Sequence, residues 1–203
     1  MTNKEFPRGA DIATFHDHCV HTEHWAQDVP VQFASGVWRF FELNHRHNSL
    51  LWAEEDQARR KHVPDSEIAA NKRAIDRNNQ ARNDAIEKID EVLLTELAAA
   101  PRQPDAWLNS ETAGSMVDRM SVQSLKMYHM NLQTQRTDAD EAHRETCRQK
   151  VLRLKEQRAD LTECFDRLLQ SAREGTAYFK VYRQFKMYND PTLNPYLYSA
   201  QND

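Results

Sequence analysis

Asp76, Gln80, Asn83, Glu87 and Asp90 recur at alternating steps of four and three, a spacing that sets side chains in one stripe along an α-helix. Carboxylates in such a row can move protons, and the amides offer donors and acceptors to a polyhydroxylated ligand. Ile68, Ile75, Ile86, Ile89 and Leu93 fall about a right angle away, on the face that should meet a core. The polar stripe therefore borders the buried side. Asn78, Asn79 and Asn83 each cost several tenths of a kcal/mol (about 0.5) of helix propensity, so this row reads as the wall of a site.

Two further sets complement it. Asn44, His47 and Glu55 share a four-three register with Phe33, Val37, Phe40, Leu51 and Ala58. Arg119 and Lys126 stand seven apart, with His129 and Gln133 nearby. The expectation is one shared cavity. In it Glu55, Asp76 or Glu87 act as acid or base, Arg119, Lys126 and Lys186 hold phosphate oxygens, and Asn44, His47, Gln80, Asn83 and Asp90 bind the rest of a small anionic ligand. The turn from Lys186 through Asn189 to Asp190 is the candidate lid. Opposite charges could equally neutralise one another in an internal ion-pair network. His16, His18, His21 and His24 crowd the first helix, but His16, His21 and His24 do not share a face and no metal site is assigned to them. No cofactor is identified.

The elements that position these residues are helices. Only 4 glycines and 7 prolines punctuate 203 residues, too few for the turns of an all-β chain. The expected fold is all-α: a single domain over 1–203, a bundle of about six helices with long antiparallel ones, 1–9 flexible and 188–203 a non-helical, proline-containing tail. Periodicity and breakers predict helices over Ala10–Trp25, from Val31 or Gln32 to Lys61, over Asp65–Ala99 with Asp65 as N-cap, over Thr112–Arg136, and from Asp140 to Glu174 before Gly175. A short aromatic helix follows Thr176, with Phe179, Tyr182 and Phe185 sealing one end, and no sheet is expected. The net charge of -4 and the lack of a clustered Lys/Arg excess argue against nucleic acid. Cys19, Cys147 and Cys164 form no CxxC pair and suit reduced thiols. No signal-like or membrane-spanning run is present, which predicts a cytoplasmic protein without membrane insertion.

Four pieces carry a resemblance: Asn48-x-x-Leu51-Trp52-x-x-Glu55-Asp56-x-Ala58-Arg59; Ile68-Ala69-x-x-Lys72-Arg73-x-Ile75-Asp76-x-x-Asn79-Gln80-x-Arg82-Asn83-Asp84; Gly114-Ser115-Met116-Val117-Asp118-Arg119-x-Ser121 with Lys126 and His129; and Lys186-Met187-Tyr188-Asn189-Asp190-Pro191. Together they resemble an uncharacterised bacterial family, domain of unknown function 4254, from about Phe33 to Tyr198. The resemblance implies a fold and, through neighbouring glycosyltransferase genes, a link to surface polysaccharide. Ala53 departs from a histidine expected there in relatives.

Three functions compete. The first is a protein that binds or acts on a sugar phosphate or nucleotide sugar in a polar bundle interior. The second is a magnesium-dependent nucleotide pyrophosphohydrolase built on Glu87-x-x-Asp90 and Glu55. The third is a non-catalytic scaffold that meets another protein, or a second copy of itself, through the charged face of the 140–174 helix.

Overall fold

A computed structural model describes residues 6–185, 187 and 190–198. Among them the order is α1 (Gly9–His21), α2 (Trp25–Asp28), α3 (Gly36–Gln57), α4 (Asp65–Leu97), β1 (Trp107–Leu108), α5 (Ala113–Thr134), α6 (Glu141–Arg173), β2 (Ala177–Tyr178) and α7 (Pro195–Tyr198). The fold is an all-α bundle. α3 and α4 are antiparallel neighbours, tied by His47 to Asn78 (3.0 Å) near their middles and by Asn71 to Glu54 (2.7 Å) nearer their connection. α5 runs through the centre and packs on α1, α3, α4 and α6, which is why Met116, Val117, Met120, Leu125 and Met127 are buried around much of its circumference. Ile12, Phe41, Ile89, Leu93, Met120 and Phe165 form one contiguous core, where each such side chain contributes about 1.5–3 kcal/mol by leaving water.

Several boundaries shift for identifiable reasons. α1 ends at His21 rather than Trp25, and His24 adopts a left-handed φ of 51° before the separate turn α2. α3 begins at Gly36, not Val31 or Gln32, because the backbone N–H groups of Gln32 and Phe33 donate to the buried Glu42 carboxylate at 2.9 and 3.0 Å. It stops at Gln57 instead of Lys61. Asp65 lies in the first turn of α4, and Pro64 takes the N-cap position.

The expected aromatic helix after Thr176 is extended chain instead. β1 and β2 pair in parallel, Trp107 opposite Ala177 and Leu108 opposite Tyr178, so the expectation of no sheet is corrected to one two-residue ladder. Gly175 forces this outcome. Its φ is 76°, and a Cβ there would sit 1.8 Å from the Pro101 carbonyl oxygen, so α6 stops where the 101–109 segment lies against it. Phe179 is buried, whereas Tyr182 and Phe185 are exposed and seal nothing. Within the tail expected to be non-helical, Pro195 opens the one-turn helix α7, as its fixed φ permits at a first helical position.

α4 and α5 are in close backbone contact at Gly114, where an added Cβ would lie 2.4 Å from the Ile86 carbonyl oxygen. Elsewhere in a helix, Gly→Ala gains about 1 kcal/mol. Gly114→Ala should instead lose about 1–3 kcal/mol by overpacking, read as a lower midpoint in urea unfolding. A gain would show that the two backbones are not in contact.

Candidate functional site

The polar residues organise around Asp118 on α5. One carboxylate oxygen accepts from the side-chain amides of Asn44 and Asn48, both at 2.9 Å and both from α3. Arg82 of α4 brings Nε to 3.9 Å of it. The Asn48 amide also donates to Ser121 Oγ (2.9 Å), which lies 2.8 Å from Nδ1 of His45. The His45 ring stacks on His16 at 4.4 Å and 25°. Both imidazoles are fully buried. Burial holds His45 down to about 3, and burial, then the His45 and Arg158 charges, hold His16 well below the ordinary histidine range. The pair is therefore neutral at physiological pH.

In front of this layer α3, α4 and α5 leave a cleft of about 290 Å³. Asn48, Leu51, Trp52, Glu55, Asp56 and Arg59 line it from α3 and the turn after it, Asn79 and Arg82 from α4, and Val122 and Leu125 from α5. Steps of three and four put each group on one helical face. Glu55 and Arg59 pair at 3.0 Å. Arg82 reaches Asn83 only at 3.5 Å, so its guanidinium is loosely held. The indole of Trp52 is covered by the His129 ring, nearly parallel at 7° and 4.4 Å away.

Of the residues singled out in the sequence, Glu55 lines the cleft and Asn44 supports it from behind. His47 binds Asn78 beside it. The stripe on α4 does not act as one wall. Asn83 and Asp90 are buried, whereas Asp76 pairs with Lys72 (2.6 Å) and Gln80 donates to Asp84 (2.7 Å) at the surface. Glu87 is held by Arg183 (2.6 Å) and by the backbone N–H of Gln184 (2.9 Å). Asp90 accepts from the backbone N–H of Gly114 at 2.7 Å, and burial raises its carboxyl to about 6 against the hydrogen bonds from Thr112 and Gly114.

The cationic row does not face the interior. Arg119 is 60% exposed and pairs with Glu111, and Lys126 is exposed. Asp190 accepts from Thr192 in a local turn; Lys186 and Asn189 lie outside the described residues. Glu55, Glu87 and Asp90 are thus engaged separately, and among the described residues no group of three or more His, Cys, Asp or Glu is arranged to hold a metal ion.

Periodicity alone missed Asn48, Asp56, Arg59, Asn79, Arg82, Asp118 and Ser121. A signal was present, since all seven belong to three of the motif pieces that carry the family resemblance; the first two line the cleft, and Asp118 and Ser121 of the third bind Asn48 at its wall.

The family model described as "Protein of unknown function (DUF4254)" matches residues 38–181. The chain belongs to this family. No curated protein and no solved structure matches it. Among the described residues no helix is long and apolar enough to cross a membrane.

Two outcomes follow from this geometry. The surface pair of Arg119 with Glu111 should be worth about 0–1 kcal/mol, so Arg119→Ala should leave the melting temperature nearly unchanged. A loss of several kcal/mol would mean that the arginine balances a buried charge after all.

The second concerns pH. The folded pKa of His45, about 3, lies below its unfolded value of about 6.5, so its contribution is complete above that value and is lost as pH falls towards 3. Asp90 runs the other way. Its folded value near 6 exceeds the unfolded value of about 3.9, so its contribution is complete in acid and lost as pH rises through 6. Asp90→Asn should therefore steepen the loss of stability between pH 6 and 4 by up to one proton, about 1.4 kcal/mol per pH unit. An unaltered slope in urea unfolding across that window would show that Asp90 is ionised in the fold.

Proposed function

We propose that the protein binds a small polyhydroxylated anion, of the class of sugar phosphates and nucleotide sugars, in the cleft between α3, α4 and α5. The observation that carries this reading is the Arg82 guanidinium. It stands part-buried at the cleft wall with its nearest acceptors at 3.5 and 3.9 Å, leaving donor capacity in a fork suited to phosphate oxygens. Glu55, Asp56, Asn48 and Asn79 supply acceptors and donors for hydroxyl groups, and Trp52, Leu51, Val122 and Leu125 supply apolar surface for a sugar ring. The cleft carries two guanidiniums and two carboxylates, so its recognition rests on hydrogen bonds more than on net charge. The link to bacterial surface-polysaccharide metabolism that the resemblance implies would supply ligands of this class, and on this reading the protein works in the cytoplasm.

Thermal unfolding tests it. Glucose 1-phosphate or a nucleotide sugar at 100 times its dissociation constant should stabilise the protein by about 2.7 kcal/mol, a rise of about 5 °C or more for a chain of this size. Inorganic phosphate alone should do far less. Arg82→Ala should abolish the rise and Arg119→Ala should keep it. No rise with any sugar phosphate or nucleotide sugar would overturn the reading in favour of a scaffold.

A further inference from the structure

The cleft has a neighbour at Trp52. Beyond the stacked Trp52–His129 pair lies a second cavity of about 390 Å³, which shares Trp52, Asp56 and Leu125 with the first. The two differ in chemistry. The first is lined by guanidiniums, carboxylates and amides. The second is walled by the rings of His24, Trp25, Trp52, Tyr128 and His129, contains no lysine or arginine among the described residues, and has the shared Asp56 as its one carboxylate. Two of its titratable groups are shifted towards their neutral forms. Burial pushes the Cys19 thiol up to about 12, helped by the nearby Glu42 charge, and burial lowers His129 against the pull of Asp56. A second phosphate or other anionic group finds no lysine or arginine in the lining of this cavity. A flat neutral ring finds a wall rich in aromatic side chains, with Ser49 and Thr22 also in the lining.

We propose that this second cavity is a subsite for a flat, uncharged heteroaromatic ring, so that the ligand is a nucleotide-linked sugar. Its sugar and phosphates lie against Arg82 and its base lies beyond Trp52. The inference rests on the reading of the cleft given above and adds the base. It also accounts for the partition of the site, because one ligand with a polar end and a flat apolar end needs two adjoining cavities of unlike lining. Their volumes place them together within the range of about 300–1,000 Å³ usual for ligand pockets.

Ala53 lines only the second of these cavities, so a larger side chain there fills it without touching the cleft. Dissociation constants would be measured by calorimetry for glucose 1-phosphate and for the glucose conjugates of UDP, ADP, GDP, CDP and dTDP, with wild-type protein and Ala53→Phe. Ala53→Leu substitutes if the larger variant is misfolded by circular dichroism. The expected result is at least one conjugate binding tenfold or more tighter than glucose 1-phosphate, an advantage erased by Ala53→Phe while glucose 1-phosphate stays within twofold. If every conjugate binds within threefold of glucose 1-phosphate, or Ala53→Phe weakens both kinds equally, the base subsite is overturned and the sugar phosphate reading stands. If nothing binds, both fall.

Discussion

A carboxylate placed where three helices meet must take its solvation from the protein, and Asp118 sets that condition here. Its side chain is only 17% exposed, and an unpaired charge at such depth costs several kcal/mol, roughly 3–5 when one partner is removed. Two amides one turn apart on α3 and a guanidinium on α4 meet the demand. The register of all three helices follows. A slip of one residue rotates a helix by about 100° and would carry Asn44 and Asn48 away from Asp118 together. Arg82 turns Nε towards Asp118 and also forms part of the cleft wall.

A second polar clamp fixes how the chain enters the bundle. Glu42 is fully buried and accepts from Gln32 N–H, Phe33 N–H and Arg46 (3.2 Å). Arg46 donates in turn to the carbonyls of Trp25 and Ala26 and lies 4.5 Å over the Trp25 ring. One ion pair thereby ties α2, the extended 31–34 segment and α3 together, and its hydrogen bonds satisfy the charges that burial would otherwise penalise. The consequence reaches the site, because α2 held in this place supplies Trp25 and Ala26 to the wall of the aromatic cavity.

The helices were legible because a 3.6-residue period leaves its mark wherever one face is buried. The long helix expected over Asp65–Ala99 is observed over Asp65–Leu97. What periodicity could not supply was the number of faces covered. Three consecutive residues cannot share one helical face, yet His45 and Arg46 are both buried, since α1 and α2 as well as α4 and α5 pack against α3. The reverse holds for Arg119 and Lys126, whose helix is buried over most of its girth but leaves open the narrow strip they occupy. The stripe on α4 fails as a unit for a related reason. Over two heptads a straight helix drifts by about 40° from a 3.5-residue repeat, and α5 meets α4 at Asp90 and Gly114, whereas Asp76 and Gln80 lie on open surface. The extended strand after Gly175 was hidden because its cause, contact with the Pro101 carbonyl, is distant in sequence.

Within the site the charges sort themselves by partner. Glu55 is tied to Arg59, and Arg82 faces Asp118. Asp56 has no ion-pair partner among the described residues and forms part of the wall of both cavities. Of the two adjacent acids, Asp56 is the one not engaged by a guanidinium within the site. It also stands at the junction of the two cavities. On the two-part reading of the ligand, that junction is where the polar end joins the flat one, and Asp56 is the one acid of the site within reach of both.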